Sequence, residues 1–316
     1  MRTIALAGAF SLLAAVSLPT APAQALSRTW VSGTGSDMSA CTRASPCATF
    51  AHALGVTDAG GSVNCVDAGD FGPVHITRSV TIDCTGTFAA ISGGTFAILI
   101  NAPGAFVTLR GLSIDGIGGG AIGIWVDQAS VVQVEQCRIS GFQSGPATGQ
   151  LGILFAPVGG GNLFVSDTVI TKNGVGQVGG GILVDPGAGS AFAVLQRVQL
   201  QQNSEGLRVS GAGGGGAIVS VLGTQAALNG RSGFVAVSPM GGSLAGLEID
   251  SSFSILNNLS GVLADGAAAH VTIGASLLQG NSTGFGQANG GNVFSYRNNS
   301  LNANGANGTA STVTLQ

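Results

Sequence analysis

The chain has 316 residues, of which 54 are Gly and 8% are charged, and its formal net charge is −3. So little charge among so many aliphatic residues excludes a disordered polyelectrolyte, and glycine without a three-residue period excludes collagen. The absence of any Lys/Arg cluster removes the electrostatic basis for binding nucleic acid. What remains is a fold of many short strands separated by frequent turns.

Residues 1–25 read as a secretory leader. Arg2 is the charged start, Ile4 to Leu18 the apolar stretch, and Ala23-Gln24-Ala25 a small-x-small cleavage site. Cleavage after Ala25 predicts a secreted or periplasmic mature chain with no transmembrane segment, since no later run is continuously apolar. Export permits disulfides. Of Cys41, Cys47, Cys65, Cys84 and Cys137, the first two bracket a tight loop and the next two bracket about one turn of chain. The expected pairs are therefore Cys41–Cys47 and Cys65–Cys84, with Cys137 a buried free thiol. No CxxC is present and the three His are scattered, so neither a metal site nor a cofactor is expected.

Residues 26–64 read as an N-terminal cap. Thr49 to Leu54 forms a short amphipathic helix there, and Val63 to Val66, Val74 to Ile76 and Val80 to Ile82 make the first coil. Residues 65–316 then form one domain built of repeats. Units begin with Gly and a strand at Gly123, Gly152, Gly181, Gly206, Gly233, Gly261 and Gly284, spaced by 23 to 29 residues. A second motif follows each, of the form φ-x-φ-x-x-φ-x-φ-x-x-Asn, with φ apolar or small: Val132, Val134, Cys137 and Ile139, for example, or Leu163, Val165, Thr168 and Ile170. The unit near Leu247 to Ile255 needs one extra residue to fit. Alternation with period two means strand, and a repeat of this length holding two or three strands is one coil of a solenoid. The fold class is all-β, a single-stranded parallel β-helix with a short N-terminal cap helix. The motif closes on Asn173, Asn203, Asn229, Asn258, Asn281 and Asn304. These are expected to stack as a ladder at a bend, since Asn tolerates the left-handed backbone region. The strand Thr312 to Leu315 closes the chain.

The stretch RTWVSGTGSDMSACTRASPCATFAHAL, with GGSVNCVDAGDFGPVHITRSVTIDC after it, resembles the start of secreted bacterial right-handed parallel β-helix repeat proteins. Their general fold is that of pectate lyases and related carbohydrate-active proteins. The resemblance implies a right-handed winding and polysaccharide as the partner class. Enzymes of that fold use clustered carboxylates with an Arg or His. This chain has no Asp-Asp, no His-Gly and no Arg-x-Lys, so no catalytic residue is carried over.

Two rows of residues on the Gly-led strands remain as candidates. The second position after Gly points outward and reads Trp125, Leu154, Leu183, Arg208, Val235, Leu263. It is apolar for a solvent face, and Trp125 and Arg208 are its candidate ligand-binding residues. The fourth position reads Asp127, Ala156, Asp185, Ser210, Val237, Asp265. Asp127 and Asp185, two coils apart, are candidate catalytic carboxylates, although an Asp before a turn more often caps its own backbone. The leading reading is a non-catalytic extracellular protein that binds polysaccharide or a surface. The alternatives are a polysaccharide lyase or glycoside hydrolase, and a structural, adhesin-like protein.

Overall fold

The computed structural model describes residues 26–314 apart from 118, 146–148 and 177–178; the proposed leader lies outside these. The chain winds as a right-handed parallel β-helix whose strands form three sheets. Sheet 1 has 12 strands, from Leu26–Val31 to Ser311–Thr312. Sheet 2 has ten short strands, from Gly69–Asp70 to Ser300–Asn302. Sheet 3 has ten, from Val74–Ile76 to Ala306–Gly308, and includes the Gly-led strands. Each coil visits sheets 1, 2 and 3 in that order, and every pairing between coils is parallel, as between Val131–Glu135 and Gly161–Ser166.

Alternation puts one residue in two into the interior. Val132, Val134, Ile139, Ile124 and Val126 of one coil are buried, as are Leu163, Val165, Ile170, Ile153 and Phe155 of the next. At about 25 cal/mol per Å² of apolar surface, burying each of these side chains contributes about 2 kcal/mol, and no coil can bury its own ends. Stability therefore comes from stacking.

The two bends of the motif have a common design. A residue with positive φ follows the sheet 1 strand (Gln136, Asp167, Arg197, Ser251), and a second follows the sheet 2 strand (Lys172, Gln202, Leu228, Leu256). The Asn comes after that second residue. It is not itself left-handed, as the sequence suggested; its neighbour makes the turn and the Asn side chain folds inward. The amide of Asn229 shows why. Its Nδ2 donates to Asn257 Oδ1 (2.8 Å) and to the carbonyl of Leu200 (3.1 Å), while its Oδ1 accepts from the backbone N–H of Asn203 (3.0 Å). Each Asn thus closes backbone groups that the bend leaves without a strand partner, inside a dry core where an open polar group costs about 1–3 kcal/mol.

The ladder runs Asn173, Asn203, Asn229, Asn257, Asn281, Asn304. Asn257 holds the rung expected of Asn258, which is exposed. The unit containing Leu247 and Ile249 has no extra residue: its third and fourth motif positions are Ser252 and Ser254, both buried, and their polarity hides the repeat. The third position also forms a partial hydroxyl ladder. Thr224 N–H donates to Ser252 Oγ and Ser252 N–H to Ser276 Oγ, each at 3.1 Å. Cys137 occupies this position one coil before Thr168. Its Sγ donates to the carbonyl of Glu135 (3.2 Å) as Thr168 Oγ1 donates to that of Ser166 (2.8 Å). The thiol is buried and free.

The repeated glycines have a packing cause. A Cβ on Gly261 would lie 3.0 Å from Asn281 Nδ2 and 3.0 Å from the carbonyl oxygen of Gly284 in the next coil. The Asn ladder and the Gly column are therefore one feature, read twice in the sequence.

At the N-terminal end, Leu26–Val31 already belongs to sheet 1 and pairs with Thr57–Cys65. The helix α1, Phe50–Gly55, is capped by Thr49, whose hydroxyl accepts from His52 N–H. Phe50, Ala53 and Leu54 are buried beneath it. Both disulfides are present, Cys41–Cys47 and Cys65–Cys84; the second joins the end of Thr57–Cys65 to the residue that follows the adjacent sheet 1 strand Val80–Asp83. At the other end the last strand is Ser311–Thr312, shorter than the segment expected, and Leu315 lies outside the described residues.

Candidate ligand-binding face

The row predicted on sheet 3 exists in register: His75, Leu99, Trp125, Leu154, Leu183, Arg208, Val235 and Leu263 pair coil by coil. Three of its members, Trp125, Val235 and Arg208, are engaged within the protein, while His75 is exposed. Trp125 packs edge-on against Phe96, ring centroids 4.9 Å apart. Val235 is fully buried. Arg208 grips Glu205 with two hydrogen bonds of 2.6 and 3.1 Å, and that carboxylate is itself buried. The carboxylates at the fourth position lie at loop edges. Asp185 Oδ1 accepts from Gly213 N–H (2.8 Å), bracing the loop of the next coil, and Asp265 Oδ1 accepts from Asn289 Nδ2 (2.7 Å). Among the described residues no Lys or Arg forms an ion pair with Asp127 or Asp185.

A different face stands open. On sheet 1 the strands Gly161–Ser166, Ala191–Gln196, Ala217–Leu222, Ala245–Asp250, Ala269–Gly274 and Asn292–Ser295 are in continuous register. Three columns face outward. The first reads Asn162, Phe192, Ile218, Gly246, His270, Asn292. The second reads Phe164, Val194, Ser220, Glu248, Thr272, Phe294. The third reads Ser166, Gln196, Leu222, Asp250, Gly274, and Tyr296 follows at its end.

The first half of this face is apolar and uncovered. Phe192 is 52% exposed, Phe164 and Leu222 are each 42% exposed, and Phe106 stands further along the same sheet at 63%. The second half is a cleft of about 490 Å³ lined by Val194, Leu222, Glu248, Asp250, Thr272 and Tyr296 among others. Glycine shapes it. A Cβ on Gly274 would come 2.9 Å from the Tyr296 ring, so only Gly lets that ring lie across the sheet. His270 leans on Phe294, ring centroids 6.2 Å apart, and its Nδ1 is buried without a hydrogen-bond partner among the described residues.

Charge on the face is one-sided at the cleft. Glu248 and Asp250 project from one strand on the same side, both exposed. Glu248 accepts from Ser220 Oγ (3.2 Å) and Asp250 from Ser251 Oγ (3.1 Å). Among the described residues no Lys or Arg lines the cleft. The nearby arginines are engaged: Arg197 holds Asp167 at 2.6 and 2.7 Å, and Arg297 Nε donates to Thr312 Oγ1 at 2.8 Å. Further toward the N-terminus, Arg110 bridges Glu135 and Asp83. The Asp83 carboxyl, although partial burial opposes it, is held below its ordinary value by Thr85 and Arg110.

Sequence reasoning missed this face because its signal looks like core. In GNLFVS and AFAVLQ the outward residues are Phe164, Phe192 and Val194, so the strands read as unbroken apolar runs. Only the register across six coils shows that they share one surface.

No protein-family model matches the sequence, and no curated protein matches it. Solved structures do resemble the fold. Pectate lyase Pel9A aligns with a TM-score of 0.68 at 14% identity, over 92% of this chain and 78% of its own. An alginate lyase from Paenibacillus sp. str. FPU-7 aligns with a TM-score of 0.63 at 14% identity, over 89% of this chain and 99% of its own. At such identity the likeness is one of architecture: the chain is a right-handed parallel β-helix with the pectate-lyase-like fold.

Proposed function

We propose that this is an exported, non-catalytic polysaccharide-binding protein, with the glycan lying along the outer face of sheet 1. The carrying observation is the set of exposed rings, Phe164 and Phe192, leading in register into the cleft that holds Glu248, Asp250 and Tyr296. Exposed apolar patches of this kind mark interaction sites. Aromatic faces suit the C–H faces of sugar rings, and interspersed Ser, Thr and carboxylate groups suit their hydroxyl edges. From Phe164 to Phe294 the face crosses five coil spacings, about 24 Å at the strand separation, long enough for several sugar units. The two polysaccharide lyases of like fold support the ligand class, and the leader-like start and two disulfides support export.

The pair Glu248 and Asp250 favours a second reading, glycoside hydrolysis. A general acid for that reaction keeps its proton through burial or a close like charge, and both carboxylates here are open to solvent, so binding is the better account. The test is affinity electrophoresis in gels containing soluble neutral polysaccharides. The Phe164→Ala/Phe192→Ala variant is expected to lose binding at least tenfold, at about 1–3 kcal/mol per stacked ring by analogy with stacking on bases, without unfolding. Retention equal to wild type refutes the assignment. Release of reducing ends by wild type but not by Glu248→Gln establishes the hydrolase instead.

A further inference from the structure

Resting on that reading of the face, we infer that the ligand is a neutral polysaccharide and that Glu248 and Asp250 exclude polyuronates. This separates the chain from its structural neighbours, whose names specify pectate and alginate, both polyanions. A polyuronate carries one negative charge per sugar, so a strand crossing the cleft sets its carboxylates against Glu248 and Asp250. Among the described residues no Lys or Arg lines the cleft: Ser220, Thr272 and Tyr296 are uncharged, His270 leans on Phe294, Arg197 is neutralised by Asp167, and Arg297, which donates to the neutral Thr312 hydroxyl, is the one nearby cation left uncancelled, one residue beyond Tyr296. A like charge about 4 Å away in water costs a factor of about five in affinity, and two such carboxylates cost a factor of ten or more. Hydroxyl groups of a neutral sugar meet the same carboxylates as hydrogen-bond donors, so the residues that repel an acid sugar hold a neutral one. Selectivity of this origin is screened by salt.

Matched pairs of polymers test this: soluble glucan, galactan and mannan, each beside the same polymer oxidised at C6 to its uronate, measured by affinity electrophoresis and titration calorimetry in EDTA, which removes any divalent cation able to bridge carboxylates. Wild type is expected to bind at least one neutral polymer and to bind its oxidised form at least tenfold more weakly in low salt. That gap should narrow at about 0.5 M salt. The Glu248→Gln/Asp250→Asn variant should gain tenfold or more for the oxidised polymer. Equal or tighter binding of the oxidised form by wild type, or no gain in the double variant, overturns the inference. If Phe164→Ala/Phe192→Ala abolishes binding while the uronate is preferred, the face stands and only the charge selectivity falls. If no polymer binds, or binding ignores the phenylalanine changes, both fall.

Discussion

The bend between sheets 2 and 3 and the outer face of sheet 1 are both columns of side chains stacked one per coil, but they differ in what completes them. At the bend, each inner Asn of the ladder meets the Asn above and below and the carbonyl of a residue such as Leu200 or Ile170, so the column is closed within the chain. On the outer face the column changes from Phe to Val to Ser to Glu to Thr to Phe within six coils, and its groups stay open to solvent. A repeated residue serves the repeat. A residue that varies from coil to coil at a fixed outward position is free to serve something outside the chain.

The sharpest way to break this contrast is at the ladder. Asn229→Ala leaves the Asn203 N–H and the Leu200 carbonyl unpaired in the core, and is expected to destabilise by about 3 kcal/mol or more. Asn258→Ala, one residue from a rung but exposed, is expected to stay within about 0.5 kcal/mol. Urea midpoints compare the two, and equal effects would refute the assignment of Asn257. Gly261→Ala comes next, at about 1–3 kcal/mol, because the new methyl meets Asn281 and the next coil's backbone.

The hydroxyl column offers a pH test. Burial pushes the Cys137 thiol up from its ordinary value to about 11. Between pH 9 and 11 the unfolded chain has lost that proton while the folded chain keeps it, so stability falls as pH rises through this window. Cys137→Ser keeps the hydrogen-bonding position and removes the titration. Its unfolding midpoint is expected to lose Cys137's contribution to the alkaline slope, and the native wild-type thiol should resist alkylation at pH 8. The smallest effect belongs to Arg110→Ala: the Arg110–Glu135 pair is partly exposed and is expected to contribute about 1 kcal/mol or less.

The contrast also explains how far the sequence could be read. Spacing alone exposed the coils, the Gly column, the cap helix and both disulfides, because each follows from local geometry or from a repeat. Asn257 was hidden by Ser252 and Ser254, which break the apolar pattern while remaining buried. The outer face was hidden for the opposite reason: Phe164 and Phe192 look like core residues in their own strands. Their exposure depends on which way each strand turns after a loop of variable length, five residues from Ala156 to Gly160 in one coil and six from Asp185 to Ser190 in the next. The row holding Trp125 and Arg208 was read in the right register, but Phe96 and Glu205, which occupy those two side chains, come from a neighbouring strand and a preceding bend.

Tyr296 gives the most direct measurement, because it is the chain's single tyrosine and lines the sheet 1 cleft. Nitration of the native protein should be slowed severalfold by a saturating neutral polysaccharide, while the emission of a Trp30→Phe variant, which comes from Trp125 on sheet 3 alone, stays unchanged. Nitration indifferent to a ligand that demonstrably binds, or a Trp125 signal that follows its binding isotherm, would contradict the account and move the site to the other face.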